Sequence, residues 1–155
     1  MRAFVGLGSN LGDREDNLRR AVAELRRLAQ TEVRAVSSFR DTAPVGYLDQ
    51  PRFLNGAVEL ETSLAPDDLL RELLGIERQL GRDRAQSRPQ GPRTADLDLL
   101  LYGDERLAGP ELQIPHPRLH ERRFVLEPLA ELDPSLVVPG RGPVQALLAG
   151  LHSEA

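Results

Sequence analysis

Apolar residues bunch over Ala3 to Gly8, and the glycines at 6 and 8 close the run, which predicts a first strand. From Asp13 to Ala29 the apolar positions Leu18, Ala21, Val22, Leu25 and Leu28 recur at helical spacing, with Arg and Glu between them. Thr31 to Phe39 predicts a second strand. Asp41 to Pro51, broken by Pro44, Gly46 and Pro51, predicts a loop. Phe53 to Thr62 alternates as a strand, with Leu54, Val58 and Leu60 on one face and Phe53 and Asn55 on the other. Pro66 suits the first turn of a helix, Leu69, Leu70, Leu73, Ile76 and Leu80 mark its apolar side, and Gly81 ends it. Arg82 to Thr94 is a polar, arginine-rich loop. Ala95 to Tyr102 returns to period two, which puts Leu97, Leu99 and Leu101 on one side and Asp96, Asp98, Leu100 and Tyr102 on the other. Beyond Gly103 the pattern predicts a short strand near Leu112 to Ile114, a helix near Arg122 to Leu132 and a last helix near Val144 to Leu151.

From residue 3 to 102 the predicted order is strand, helix, strand, strand, helix, strand. That is the split βαβ order of a ferredoxin-like sheet. The expected fold is therefore α+β: a ferredoxin-like βαββαβ core with an additional C-terminal strand and helices, in one domain over residues 1–155. In such a sheet two helices cover one face and the other face can carry a site. Phe53, Asn55, Asp96 and Asp98 avoid the leucine-bearing faces, so they are expected to share it.

Composition narrows the chemistry. Apolar residues make up 40% of the 155, which disfavours disorder, and the apolar runs are too short to span a bilayer. The N-terminus turns polar by Ser9 without a secretory pattern, so a cytoplasmic protein is expected. There is no cysteine, which removes disulfides, thiolate metal sites and Cys nucleophiles. Lysine is absent too: all 20 basic residues are Arg, which excludes a P-loop lysine and a Schiff base. An anionic ligand must then be held by arginine, backbone N–H groups or metal. The net charge of −4 disfavours nucleic acid as a partner.

The sharpest local signal is Asp96-Leu97-Asp98. Carboxylates at i and i+2 of a strand project to the same side, about 7 Å apart at Cα. They repel unless a hard cation sits between them, and Mg²⁺ commonly takes one or two carboxylates plus phosphate oxygens. A solvated strand face can carry the same pair, but the leucines around it predict a buried strand. Arg82, Arg84, Arg88 and Arg93 lie just upstream, with Arg78 on the preceding helix. Alone they are an ordinary basic loop. Feeding into a carboxylate pair, they suit a metal-bound polyphosphate, since Arg gives bidentate bonds to phosphate. Downstream, His116 and Arg122 can also serve phosphate. His116 and His120 have a zinc-like spacing, but Pro117 sits between them, so a zinc role ranks below a phosphate or structural one. Phe124 has core packing as its ordinary use. The Gly6-Leu7-Gly8-Ser9-Asn10-Leu11-Gly12 stretch has the wrong last spacing for a dinucleotide fingerprint and reads as a strand-to-helix turn with Asn10 or Asp13 near the helix start.

Taken together the residues resemble one family, the 6-hydroxymethyl-7,8-dihydropterin pyrophosphokinases of folate biosynthesis. The carrying stretches are Gly8-Ser9-Asn10-Leu11-Gly12, Ser37-Ser38-Phe39, Thr42-Ala43-Pro44-Val45-Gly46 and Asp49-Gln50-Pro51-Arg52-Phe53-Leu54-Asn55. Ile76-Glu77-Arg78, Gly81-Arg82, Gly91-Pro92-Arg93-Thr94-Ala95-Asp96-Leu97-Asp98-Leu99, Pro115-His116 and Arg122-Arg123-Phe124 follow in the family's order. The resemblance implies transfer of pyrophosphate from ATP, as co-substrate, to the pterin hydroxymethyl group, with release of AMP. It implies two Mg²⁺ ions on Asp96 and Asp98. Arg82, Arg84, Arg88, Arg93, His116 and Arg122 would serve ATP and its phosphates, with Arg82, Arg93 and Asp98 closest to catalysis. Glu77 would lie near the ribose. Phe53 and Phe124 would sandwich the pterin ring, Thr42, Val45, Gly46 and Asn55 would line its pocket, and Asp96 would border it. The chain departs from the family's pattern in carrying Pro89-Gln90 where an aromatic residue often precedes the Gly-Pro-Arg stretch. The expected partners are the two small molecules, with no nucleic acid and no membrane, and a monomer is the working expectation.

Overall fold

The computed structural model describes residues 1–44, 49–81 and 94–151. Five strands form the main sheet: β1 (Arg2–Ser9), β2 (Thr31–Val36), β3 (Arg40–Thr42), β4 (Phe53–Thr62) and β5 (Asp96–Tyr102). They run β2-β4-β1-β5, with β3 added to β4 beside β2, and every pairing is antiparallel. Helices α1 (Arg14–Arg26) and α2 (Pro66–Gln79) cover one face. Their apolar stripes, Leu18, Ala21 and Leu25 on α1 and Leu69, Leu73 and Ile76 on α2, pack on Val5, Leu7, Val58, Leu60, Leu97 and Leu99. The result is a mixed α/β fold built on an antiparallel sheet.

Local chemistry sets the element ends. Asp13 caps α1, its Oδ1 accepting the Asp16 N–H at 3.0 Å, and Pro66 opens α2 where its missing N–H costs nothing. The first helix stops at Arg26, three residues short of the periodicity, because the chain turns through Gln30 at φ 58° into β2. The second strand ends at Val36, and residues 40–42, predicted as loop apart from Arg40, pair with the start of β4.

Beyond β5 the chain forms two short antiparallel ribbons, β6 (Leu107–Ala108) with β7 (Gln113–Ile114) and β8 (Val137–Val138) with β9 (Gly142–Pro143). Between and after them lie α3 (Arg123–Leu132) and α4 (Val144–Ala149). Helix α3 crosses the second sheet face. There Leu126 and Leu129 pack with Phe4, Ala57, Leu100 and Leu101 in a second core. No helix of the described residues is long and apolar enough to cross a membrane.

One strand breaks its own alternation. Phe4 pairs with Leu101 and Val5 with Leu99, so Leu100 is an extra residue, a β-bulge. Before the bulge the faces are those predicted. After it they exchange: Leu101 joins the core under α3, and Tyr102 joins the core under α1 and α2. The buried Tyr102 hydroxyl donates to the Leu64 carbonyl at 2.5 Å, just ahead of α2. Burial raises the pKa of this phenol above its ordinary value, so it stays a neutral donor. Tyr102→Phe is expected to cost about 1 kcal/mol. The check is a lower urea midpoint at unchanged m-value, and an unshifted midpoint would contradict the bond's contribution.

Candidate active site

Helix α3 covers one part of the second sheet face. Under α3 it carries Phe4, Ala57, Leu100 and Leu101. Toward the other end of the strands, register aligns Asp96, Gly8, Asn55 and Arg40 in one row and Asp98, Gly6 and Ala57 in the next. Directly paired residues of antiparallel strands share a face. The two aspartates therefore project to the same side as Asn55, as the period-two pattern predicted. The glycines between them let neighbouring side chains close over β1, Leu100 coming within 3.3 Å of the place a Gly6 Cβ would take. A Cβ on Gly8 would stand 2.9 Å from Asn55 Oδ1 and 3.8 Å from the Phe53 ring. The Asn55 amide donates to the Thr42 hydroxyl across the β3–β4 pair. Thr42, Phe53 and Asn55 thus form one polar and aromatic wall.

The turn that ends β1 is tied down on both sides. The Asn10 amide donates to Gln50 Oε1 at 2.8 Å and to the Pro51 carbonyl at 3.0 Å. The Asn17 amide donates to the Leu11 carbonyl at 2.7 Å and to Ser9 Oγ at 3.2 Å. Nearby, Arg52 and Arg14 beside Asp41 hold its exposed carboxyl below the usual range, the Arg52 hydrogen bond being the larger cause.

Strand β5 lies at the sheet edge, and its fastening comes from α2. Glu77 is 1% exposed, and its Oε2 accepts the Leu97 N–H at 2.7 Å. That N–H belongs to the residue between the two aspartates. The resemblance implies a place near a ribose for Glu77; its observed bond is to the strand that carries the metal-site candidates.

On the outer side of β5 opens a cleft of about 600 Å³. Leu70 and Leu74 of α2, Leu97 and Leu99 of β5, and Leu112 make its apolar walls; Asp98, Glu111, Gln113 and His116 bring polar groups to it. This volume and mixture are those of a small-molecule or cofactor site. Asp98 and His116 line the same cleft. The His116 N–H donates to the Leu100 carbonyl at 3.0 Å, and a cis Ile114–Pro115 bond precedes it. His116 Nδ1 accepts a long 3.5 Å bond from the Arg118 N–H. Arg122 caps α3 and lies over the half-buried Phe124 ring, 5.6 Å from its centroid, a cation–π distance.

Sequence reasoning missed most of this cleft's walls. The periodicity puts Leu70 on the helix's apolar side and Leu112 and Gln113 in a short strand, with no part in a cleft for any of them, and leaves Leu74 out. The available signal was a second i,i+4 leucine pair, 70 and 74, one position beyond the buried stripe of 69, 73 and 76. Val45, Gly46, Arg82, Arg84, Arg88, Pro89, Gln90 and Arg93 lie outside the described residues.

Two carboxylates on one sheet face, with Asp98 also lining a cleft of small-molecule size, mark an enzyme of mixed α/β fold that acts on a small molecule. Comparison with known proteins makes it specific. A sequence model of the 7,8-dihydro-6-hydroxymethylpterin-pyrophosphokinase (HPPK) family matches residues 4–134, and the chain belongs to that family. It is 54% identical over 130 residues to the 2-amino-4-hydroxy-6-hydroxymethyldihydropteridine pyrophosphokinase of Bacillus subtilis, covering 84% of this chain and 77% of that protein. A protein of the same name from Pseudomonas aeruginosa is 45% identical over 153 residues, 99% of this chain and 93% of that one. One from Synechocystis is 48% identical over 140 residues, 90% and 70% of the two chains.

Two outcomes follow from the geometry. Glu77→Ala removes the acceptor of a buried N–H and is expected to lower stability by about 1–3 kcal/mol, with Glu77→Gln costing less. Equal urea midpoints for wild type and Glu77→Ala would leave Glu77 no role in holding β5. Gly8→Ala puts a methyl against Asn55 and is expected to raise KM for the pterin at least about tenfold, since misplacement near 1 Å is costly. Steady-state kinetics with a circular-dichroism control for folding measures it.

Proposed function

We propose that this chain transfers the pyrophosphoryl group of ATP to the hydroxymethyl oxygen of 6-hydroxymethyl-7,8-dihydropterin, as a pyrophosphokinase of folate biosynthesis. Membership of the HPPK family supports it. The observation that carries it is the shared face of Asp96, Asp98 and Asn55, of which Asp98 also lines the cleft with His116. In this reading Phe53 and Phe124 stack the pterin, Asn55 reads its hydrogen-bonding edge, and Thr42, Val45 and Gly46 complete its pocket. The apolar cleft takes the base of ATP, with Leu70, Leu74 and Leu112 as its walls. His116 and Arg122, with Arg82, Arg84, Arg88 and Arg93, hold the phosphates.

Asp96 and Asp98 would hold Mg²⁺, and we assign them two ions. The donor set fits. Among the described residues no group of three or more His, Cys, Asp and Glu could hold a metal ion, and Mg²⁺ characteristically needs only one or two carboxylates with phosphate and water. Bound there, Mg²⁺ neutralises polyphosphate charge and polarises its oxygens. The chain's own residues do the rest. The pterin hydroxyl oxygen attacks the β-phosphorus, and the bond from that phosphorus to the oxygen bridging to the α-phosphorus breaks. AMP leaves with that oxygen. Asp98 takes the hydroxyl proton, and the arginines stabilise charge on the moving phosphoryl oxygens. The strand order and antiparallel pairings support a ferredoxin-like core. A single domain over 1–155, acting as a cytoplasmic monomer, completes the reading.

Incubation with Mg-ATP and the hydroxymethyl-dihydropterin is expected to give AMP and pterin pyrophosphate in equal amounts. EDTA should abolish it, and Asp96→Asn or Asp98→Asn should lower kcat by about two orders of magnitude or more without lowering the melting temperature. Release of ADP, cleavage of added nucleic acid, or full turnover by either variant would overturn the assignment.

A further inference from the structure

Helix α3 is held to the sheet in two different ways. Leu126 and Leu129 pack on the second face, and such apolar contact is non-directional. At the other end of the helix Glu131 makes directional bonds. Its Oε2 accepts the Ser38 N–H at 2.8 Å, and its Oε1 accepts the Ser38 hydroxyl at 2.7 Å and pairs with Arg40 Nη2 at 2.9 Å. Burial pushes the Glu131 carboxyl up, but the Ser38 bonds and the Arg40 charge outweigh it, and its pKa lies below the ordinary value.

The segment it grips runs into β3, which pairs with the Phe53–Asn55 end of β4. The Ser37 N–H donates to the Ala57 carbonyl at 2.9 Å, and the Ser37 hydroxyl accepts the Ala57 N–H at 2.9 Å. Arg40 stands opposite Asn55 in β3, and Thr42, two residues on, accepts from the Asn55 amide. At the far end of α3 sit Arg122 and Phe124. One carboxylate therefore joins the helix that carries Phe124 to the strand that carries Thr42.

We propose that Glu131 is a positioning residue for the pterin pocket: by clasping Ser38 and Arg40 it sets the position of α3, and so the spacing of the Phe124 wall from the Thr42–Asn55 wall. This rests on the pterin reading given above. Glu131 touches none of the reacting groups in that scheme. Its stabilising share is small, because the side chains of Arg40 and Glu131 are 33% and 36% exposed and solvent screens the pair. The effect of losing it falls instead on geometry, where small displacements are costly.

The test uses the full-length chain and separates the two substrates. Glu131→Ala is expected to raise KM for the pterin about tenfold, equivalent to about 1.4 kcal/mol, while KM for Mg-ATP stays within about twofold. Glu131→Gln, which keeps one acceptor oxygen, should recover part of the loss. Ser38→Ala, which removes a single hydroxyl, should shift the same constant in the same direction by about threefold. If Glu131→Ala fails to fold, the Ser38→Ala result decides. Wild-type KM for the pterin in the folded variants, or an equal rise for both substrates, overturns the proposal. Absence of AMP formation by the wild-type chain would instead sink the pterin reading itself.

Discussion

A buried carboxylate meets one backbone N–H at the open edge of the sheet, and both metal-site candidates hang from the strand that it fastens. Among the described residues, strand β5 pairs with a single strand, β1. An edge strand carries a row of backbone groups that the ladder cannot satisfy. Here Glu77 supplies an acceptor at Leu97, from a helix already packed on the same core. The bond is shielded from water, so leaving the Leu97 N–H without it would cost the desolvation of a buried donor. Everything the aspartates do presupposes that Leu97 is held between them.

The division of the second sheet face depends equally on one irregularity. Leu100 is the extra residue of a bulge, and it sends Leu100 and Leu101 together into the core beneath α3. The greasy half of the face ends there. The next residues toward the start of β5 are Asp98 and Asp96, standing over glycines. A bulge so placed lets a single strand seal a core at one end and offer carboxylates at the other.

Much of this was legible in the sequence, for reasons that can be named. Period-two alternation fixed the faces of β4 and the first half of β5, because one face was buried and a slip would have exposed it. The helical stripes of α1 and α2 were legible through the same burial. The fate of Leu101 and Tyr102 was not, since a bulge leaves no mark in a run of four apolar residues, Leu99 to Tyr102. The burial of Glu77 was equally hidden, because an acid within Ile76-Glu77-Arg78 reads as polar and its acceptor role depends on a strand twenty residues away. Strand β3 is three residues long, too short for any period to declare itself. The walls of the cleft come from α2, β5 and the 110–117 segment, and only tertiary packing brings them together. The arginine loop, prominent in the sequence, falls outside the described residues, so its part in the site rests on the family's pattern rather than on distances.

The glycines at positions 6 and 8 carry one more consequence. Because neither has a Cβ, the Asn55 amide oxygen comes within 2.9 Å of the place a Gly8 Cβ would take, and Leu100 within 3.3 Å of that of Gly6. Strand β1 is flanked by β4 and β5, so one of these side chains reaches over it from each neighbour. Any larger residue at either position would push the two flanking strands' side chains apart, so two missing methyls set how closely the neighbours of β1 can meet above it.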